Sequence, residues 1–529
     1  MKNPYVRKAL AAGVMLSVAG GAFAQSSIEE VVVTSRKRAE SLQEVPISVT
    51  ALTEAQIEGA GIARPADFIS LIPNITLVDS ANVGDTQVSI RGIVSTRDAE
   101  STFAYVVDGV LVTNPNGFNE ELLDVSQIEV LKGPQGALYG RNAVAGAIIV
   151  TTNKPDGEAE AQVKVGVGNN NARTGSAVFS GALIEDELYG RFSISRRETD
   201  GFFSNVYLGR DDAVDYMEDT TVRGRLVWDA SDELTLDLRG GVSEVTAGAI
   251  NFNAVFAIPL FETVFNQPAY FTDVNKQDFI FSFNVPGENE QETVDFSLKA
   301  DWDTDGIDVT AILSYSDLQE YLLSDGTSAS FYGYEITDSC VADRATLNNM
   351  PAAIGGGGRE DLFGPFFAPF GVFPPGIGQE FAGVYGPYTP TSCDGYQYQE
   401  RNQTDTSFEL RLTSPDEGAT RWIAGIYGAE IERESIVAYG ADTGAGFLRQ
   451  SYVPPSGPNP TDLLFSDQFD TSVLAVFGQI EVDLSDTMEL AFAARYDREE
   501  RDITNQVPNV NSSGLNINAA GQPINPAFT

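Results

Sequence analysis

Two patterns in the sequence combine residue types and spacings that could support chemistry. The segment Asp301-Trp302-Asp303-Thr304-Asp305-Gly306 matches the start of a calcium-binding EF-hand loop, in which acidic oxygens ligate the ion. The twelfth position is Ile312 rather than Glu, and the residues continue into a strand pattern, so the sequence favours an acidic turn. Gly133, Gly136 and Gly140 resemble a phosphate-binding loop, but no Gly-Lys-Ser/Thr follows them. These glycines are instead predicted to give backbone freedom to a network of tight turns.

The composition argues against several classes of function. The chain has no histidine, the commonest metal ligand, and its formal charge of −42 repels the phosphates of nucleic acid. It contains no Gly-x-Ser-x-Gly nucleophile motif and no paired metal-ligand motif. The sequence therefore predicts no catalytic residue, no cofactor, no protein metal site and no nucleic-acid partner. A metal could still arrive inside a chelate.

The two cysteines, Cys340 and Cys393, bracket one long stretch rich in Gly, Pro and aromatic residues. So few thiols fit an oxidising compartment, where an unpaired thiol is a liability. We predict a disulfide that closes this stretch, and two free thiols are the alternative.

Residues 1–24 carry the pattern of a secretory signal peptide. Lys2, Arg7 and Lys8 form a basic region, residues 9–21 are apolar, and Ala22-Phe23-Ala24 supplies the cleavage pattern. A membrane anchor is the alternative, but the apolar stretch is shorter than a spanning helix requires. We expect the mature chain to leave the cytoplasm.

Residues 156–529 are predicted to form a β-barrel. Val294, Phe296 and Leu298 alternate with polar residues, which gives each strand one apolar face, as in a barrel or a soluble sandwich. The connections favour the barrel, because short acidic turns alternate strictly with long stretches. Eleven strands are predicted at 159–168, 173–183, 187–198, 219–230, 232–246, 292–304, 306–319, 403–414, 420–434, 470–484 and 487–501.

Residues 39–155 have a different pattern, that of a small α+β domain. A strand is predicted at 45–50, a helix capped by Thr53 and Gln56, and a second helix near 65–71. Two units of a short strand and a turn follow, at Val88-Ser89-Ile90-Arg91-Gly92 and Tyr105-Val106-Val107-Asp108-Gly109.

Three motifs in this domain, and a fourth that precedes it in the chain, resemble in their order those of TonB-dependent outer-membrane receptors. The segment IEVLKGPQGALYGRNAVAGAIIVTTNKP at 128–155 resembles the family's plug signature, and Ser89-Ile90-Arg91-Gly92 and Val107-Asp108-Gly109 match two further plug motifs. The resemblance implies an N-terminal plug inside an antiparallel transmembrane barrel, which has 22 strands in the family. Arg91 and Arg141 are predicted to anchor the plug to lumen carboxylates. The plug-motif residues, to which we assign structural roles, are Arg91, Gly92, Asp108, Gly109, Gly133, Pro134, Gly136, Tyr139, Gly140, Arg141 and Gly146.

Residues 25–38 are predicted to be a coupling segment and linker. Ile28-Glu29-Glu30-Val31-Val32-Val33-Thr34 looks like a TonB box. A β-prone run of this kind is suited to adding a strand to a partner's sheet. The resemblance implies that the partner is TonB with its inner-membrane energising complex.

The resemblance implies energy-coupled import of a scarce small molecule across the outer membrane of a Gram-negative bacterium. A ferric siderophore is the first expectation for the cargo, and a glycan, cobalamin or another nutrient is the alternative. A passive porin or adhesin and an enzyme are remote alternatives. The binding residues are not identified, although aromatic residues between 320 and 402 could stack on a ring system. Since eleven strands are half of the family's barrel, we expect the 529 residues to represent a fragment or a truncated product.

Overall fold

The computed structural model describes residues 31–507 with several gaps. The gaps are 35, 39, 44, 80–81, 97–98, 206–207, 250–279, 282–284, 305, 326–394, 416–417, 442–444, 455 and 486. The chain forms two compact units, Met1–Pro46 and Ile47–Thr529, and the plug and the barrel sheet both lie in the second. Among the described residues, no helix has the length and apolar character needed to cross a membrane.

The first unit contains a small hairpin. Strand β1 (Val32–Val33) pairs antiparallel with β2 (Glu40–Ser41). The Arg36 guanidinium donates two hydrogen bonds to the Glu40 carboxylate, at 2.6 and 2.8 Å. This bidentate pair stabilises the turn between the two strands.

The plug is an α+β fold built on a five-stranded sheet. Its elements are β3 (Val49–Thr53), α1 (Glu54–Ala60), α2 (Pro65–Ile69), β4 (Ile75–Asp79), β5 (Thr86–Ile90), β6 (Ile93–Val94), β7 (Phe103–Val107), β8 (Val110–Val112), a 3-10 helix (Pro115–Asn119), β9 (Val125–Lys132), α3 (Gly136–Tyr139) and β10 (Gly146–Thr152). The main sheet has the order β3-β9-β10-β7-β8, in which only β7 and β10 are parallel neighbours. Strands β4, β5 and β6 form a second, antiparallel sheet.

The plug core and its first helix follow the sequence pattern closely. Phe68, Ile128 and Ile148 are fully buried between the helices and the main sheet. Helix α1 begins after Thr53 as predicted, and Gln56 Oε1 accepts a hydrogen bond from Thr53 N at 3.0 Å. The first strand lies at 49–53 rather than at 45–50, because its partner β9 pairs with the later residues.

Eleven antiparallel strands form the wall that faces the plug, as predicted. The strands of this sheet are β11 (Glu160–Val167), β12 (Arg173–Ile184), β13 (Leu188–Thr199), β15 (Met217–Ser231), β16 (Leu234–Ala247), β18 (Glu288–Asp303), β19 (Asp308–Asp325), β20 (Gly395–Thr413), β21 (Thr420–Ala441), β22 (Thr461–Ser485) and β23 (Met488–Asn505). Each pairs with the next in chain order, and β14 (Ser204–Asn205) pairs separately with β17 (Ile280–Phe281). Several strands extend further than predicted at the ends that lead into the long connections.

The wall has an apolar outer face and a polar inner face. The outer side chains of Leu313 and Phe492 are 56% and 67% exposed, whereas the inner side chains of Thr293 and Glu481 are 6% and 1% exposed. This arrangement is the reverse of a soluble sandwich, in which the apolar face is the buried one. Near the short turns, the outward-facing Trp228 donates from Nε1 to Glu187 at 3.3 Å. An indole in this place is typical of the aromatic girdle of a membrane barrel.

Candidate functional site

The predicted coupling segment lies only partly within the described residues. Residues 28–30 lie outside them, and Val31–Thr34 lie inside. Val32 and Val33 form β1, and its pairing partner in the structure is β2 of the same chain. The β-prone run is therefore extended, while its use by a partner protein stays a prediction.

Two plug motifs are tight turns with left-handed backbone. Arg91 and Gly92 (φ 51° and 83°) join β5 to β6, and Asp108 and Gly109 (φ 49° and 90°) join β7 to β8. Positive φ at both central residues matches the type I′ hairpin turn, which favours Asp-Gly. The motifs therefore reverse the chain within the plug, and the second turn aims the Asp108 carboxylate at the wall.

The glycines of the third motif have three different roles. Gly133 and Gly140 have positive φ (114° and 75°), as the predicted turns require, whereas Gly136 begins α3 and is not among the positive-φ residues. Gly146 is required for close approach, because a Cβ there would lie 2.1 Å from Leu131 O.

Part of the same motif forms an apolar contact with the wall. Tyr139 and Leu138 of α3 are buried in one cluster with the inward-facing Ile423, Tyr427 and Phe477 of β21 and β22. Burial raises the pKa of the Tyr139 phenol, so it stays protonated at neutral pH. This contact holds the plug on one side through shape and apolar area rather than charge.

On another side of the plug, Asp108 is the centre of a buried ionic contact. Its Oδ2 accepts hydrogen bonds from Arg239 Nη1 at 2.6 Å and from Thr152 Oγ1 at 2.7 Å, and its Oδ1 accepts from Thr152 N at 2.8 Å. Arg225 lies 3.8 Å away and forms a bidentate pair with Asp237. Burial alone raises the pKa of Asp108, but Arg239 and Arg225 outweigh it and hold that pKa below its usual value. The carboxylate is therefore ionised at neutral pH.

Two further plug carboxylates bind arginines of β13. Asp124 accepts hydrogen bonds from Arg191 Nε and Nη2, both at 2.6 Å. Glu121 accepts from Arg197 Nε at 2.8 Å and from the Ser195 hydroxyl. A guanidinium can bridge two carboxylate oxygens in one plane, so these pairs fix orientation as well as distance. We call the contacts of Asp108, Glu121 and Asp124 with the wall arginines the ionic seam.

The predicted anchors Arg91 and Arg141 differ in their contacts. Arg141 Nη2 binds Glu100 of the plug at 2.7 Å and reaches Glu499 of β23 at 3.7 Å, and Glu100 also binds Arg501 of β23. Burial opposes ionisation of Glu100, but the two arginines lower its pKa overall. Arg91 forms no ion pair within the described residues, and its Nη1 lies beside Gly133.

Comparison with protein-family models covers most of the chain. Residues 41–147 match the TonB-dependent Receptor Plug Domain, and residues 251–522, about half of the chain, match the TonB dependent receptor-like β-barrel. The chain belongs to the TonB-dependent receptor family. It is accordingly a protein of the outer membrane of Gram-negative bacteria.

The curated relatives of this TonB-dependent receptor match part of its length. It is 29% identical over 183 residues to the pesticin receptor of Yersinia pestis, covering 34% of this chain and 27% of that protein. It is 32% identical over 184 residues to the vitamin B12 transporter BtuB of Vibrio vulnificus, covering 33% and 28%. The chain thus aligns with less than a third of each of these relatives.

The structural likeness extends further along the chain. The crystal structure of the ferric yersiniabactin uptake receptor of Yersinia pestis superposes with a TM-score of 0.62 at 15% identity. The match covers 86% of this chain and 61% of that receptor. At this identity the likeness shows the fold alone.

Sequence reasoning missed the receptor's wall arginines. Four arginines contact the plug from inward-facing positions of wall strands: Arg191, Arg197, Arg225 and Arg239. The sequence did contain a signal, because each lies at the polar position of a strand that alternates polar and apolar residues. An Arg at such an inward position needs a partner in the lumen.

A further polar contact joins the plug to the wall. The Glu320 carboxylate of β19 accepts hydrogen bonds from Asn82 and Asn116 of the plug and, at 3.2 Å, from Asn289 of β18. Glu320 is 2% exposed, so its charge depends on these donors and on Arg401 at 3.6 Å. This contact also escaped prediction, because Asn and Glu at these positions have no sequence signature.

The predictions of a disulfide and of aromatic stacking fall on residues outside the described ones. Cys340, Cys393 and the aromatic residues between 326 and 394 lie there, so the disulfide and the aromatic stacking stay predictions. The acidic segment that begins at Asp301 leads from β18 into β19. A strand therefore follows it, where an EF-hand loop would lead into a helix. Within the described residues, no group of three or more Asp, Glu, His or Cys could hold a metal ion.

Proposed function

We propose that the protein works as the receptor of an energy-coupled importer for a scarce small molecule. In this proposal TonB and its inner-membrane complex pull on the coupling segment Ile28–Thr34 and so move the plug. The plug carries no catalytic role.

The ionic seam is the observation that supports this proposal most directly. Asp108, Glu121 and Asp124 hold the plug through buried charges, and these pairs resist spontaneous opening. A porin needs no plug fixed in this way. Opening therefore requires work, which is what coupling to an energised partner supplies.

The first candidate cargo is a ferric siderophore, with cobalamin, a glycan or another nutrient as the alternative. Relatives named as a ferric yersiniabactin uptake receptor and as a vitamin B12 transporter support the first two. The deciding experiment is growth of a deletion strain on single iron, cobalamin or glycan sources. A defect confined to one class of nutrient identifies the cargo, and growth equal to the parent on all sources contradicts import.

The coupling step is tested at Val32. Proline there removes a backbone donor from a strand and should abolish uptake, while ligand binding at the cell surface is unchanged. Val32→Ser keeps the backbone donor and is the matched control, with uptake close to the parent. Normal uptake by the proline variant would show that the box is misassigned.

A further inference from the structure

A groove crosses the outer, lipid-facing side of the wall. It has a volume of about 800 Å³ and runs over strands β12, β13, β15 and β16. The arginines of the ionic seam point from the same strands into the lumen, so the groove is separate from the plug. Large apolar side chains that point outward form most of its rim: Phe179, Leu183, Phe192, Leu226, Leu238 and Phe296.

Glycines at outward positions form the floor of the groove. Gly181 pairs with Gly190 across β12 and β13, and Gly224 pairs with Gly240 across β15 and β16. Because Phe192, and not Gly190, lies opposite Gly224, the second pair is one outward position further along the strands. The two pairs therefore form a diagonal floor that crosses four strands, about 14 Å at the usual strand spacing.

The floor is open space bounded by aromatic rings. Phe192 of β13 is the neighbour of Gly224, and Phe296 of β18 is the neighbour of Gly240. A Cβ at Gly224 would meet no atom within 4 Å, and a Cβ at Gly240 would meet only Asp295 O and Phe296 Cδ2, at 3.6 and 3.8 Å. These two glycines are therefore not required for close strand packing, and they leave room for a molecule outside the wall.

The groove lies in the periplasmic half of the apolar band. Gly190 is three residues from Glu187, at the turn between β12 and β13, and Gly224 is four residues from the girdle residue Trp228. At about 3.3 Å per residue, both glycines lie within about 13 Å of the periplasmic border of a band roughly 25 Å tall. The groove therefore faces the acyl chains of the inner leaflet, which consists of phospholipid.

One end of the groove lies beside an acidic turn. Leu183 lines the groove, and the turn that follows it carries Glu185, Asp186 and Glu187, all of them exposed. Residues 174–190 contain no Lys or Arg. These carboxylates attract a headgroup that carries an ammonium and repel one that is only anionic.

We propose that the groove binds one acyl chain of a phosphatidylethanolamine molecule of the inner leaflet, whose ammonium lies beside Glu185 and Asp186. Lipid tails are as apolar as leucine, so the affinity comes from packing: a chain that lies against glycine backbone makes contacts that a flat wall does not offer. A second copy of the protein fits less well, because a two-fold interface would place one concave floor against another. The inference is independent of the cargo and of the coupling segment.

The first measurement counts the phospholipids that the receptor retains. The protein is purified in a non-ionic detergent from the outer membrane of the bacterium that encodes it. It is then titrated with dioleoylphosphatidylethanolamine or dioleoylphosphatidylglycerol, and native mass spectrometry gives the number bound. We expect one site, with about threefold to tenfold tighter binding of phosphatidylethanolamine, because exposed charge contacts contribute modestly.

Gly224→Val is the decisive variant, since it fills the floor without touching another atom. Gly175→Val is its matched control: Gly175 is an outward glycine of β12 that also has no atom within 4 Å, and it lies outside the groove. The first phosphatidylethanolamine should bind about tenfold more weakly to Gly224→Val and with parent affinity to Gly175→Val. Heat-modifiable gel mobility checks folding, and Gly240→Val repeats the test on the neighbouring strand.

The headgroup contact is tested by changing Glu185→Gln together with Asp186→Asn. Asn tolerates the left-handed backbone of Asp186, so the turn is kept. The double variant should retain one lipid but bind the two phospholipids equally. Asp211→Asn together with Asp303→Asn removes two exposed carboxylates elsewhere and should keep the preference.

The last measurement uses the unchanged protein in its own membrane. Phosphatidylethanolamine with a diazirine in its acyl chain is added to outer-membrane vesicles and activated by light, and the labelled peptides are identified. Labels should concentrate on β13, β15 and β16. Even labelling of all outward faces, equal retention by Gly224→Val and Gly175→Val, no headgroup preference in the parent, or a dimer in place of bound lipid would each overturn the proposal.

Discussion

Asp108→Asn is the sharpest test of how the plug is held. Asp108 occupies a left-handed turn position, and Asn adopts this conformation readily. Asn also keeps an acceptor for Thr152 N, while its Nδ2 replaces the oxygen that accepts from Arg239 Nη1 and Thr152 Oγ1. The variant therefore removes the charge and the hydrogen bonds to that one oxygen, and keeps the backbone turn.

The expected loss follows from the contacts that remain. Breaking a buried ion pair costs about 3–5 kcal/mol. Arg239 keeps Asp295 at 3.3 Å and Arg225 keeps Asp237, so we expect the lower end, about 3 kcal/mol. Asp108→Ala also loses the hydrogen bond from Thr152 N and the left-handed preference, which adds about 1–2 kcal/mol.

The assay is protease cleavage of the plug in outer-membrane fractions. When opening and closing are fast, cleavage follows the open population, and about 3 kcal/mol corresponds to roughly a hundredfold faster cleavage. Asp211→Asn, an exposed change away from the plug, should cleave at the parent rate. A change of less than about threefold for Asp108→Asn would refute the idea that the ionic seam holds the plug.

Three further outcomes are expected. Non-reducing peptide mapping of exported protein should find Cys340 joined to Cys393, a closure worth about 4 kcal/mol in the chain-entropy model, and alkylation of both thiols would contradict it. Glu120→Gln should stabilise the plug at pH 8 by up to about 3 kcal/mol in the protease assay. Folding raises the pKa of this group from 4.5 to about 7, so the destabilisation exists above pH 7 and disappears below pH 4.5. A gain that is equal at pH 8 and pH 4.5 would contradict this. Leu313→Lys should destabilise the wall by about 2–4 kcal/mol, because it places a charge on the lipid face, whereas Leu313→Val should not. Heat-modifiable gel mobility measures the temperature at which each variant unfolds. Equal mobility of the two variants would contradict a lipid-facing Leu313.

The sequence by itself determined the elements and their faces. Alternation in Val294-Phe296-Leu298 fixed which side chains point outward, because a strand has a strict period of two. The turn chemistry of Asp108-Gly109 and the cap at Thr53 were equally local, since each depends only on residues a few positions apart. Strand alternation, turn conformation and helix capping can be predicted from the sequence because each depends on residues within one short segment.

Only the tertiary structure decided which charges meet. Asp108 binds Arg239, which is 131 residues away, and Arg141 binds Glu100 of the plug at 2.7 Å while it lies 3.7 Å from Glu499 of the wall. Such pairs depend on the orientation and position of the plug relative to the wall, and all of the contacts between plug and wall together determine both. Glu120 is the clearest case: it is next to Glu121 in the sequence, yet Glu121 pairs with Arg197 and Glu120 forms no ion pair within the described residues. The partner of a buried carboxylate comes from a distant segment of the chain, and the two meet only when the strands and the plug have packed.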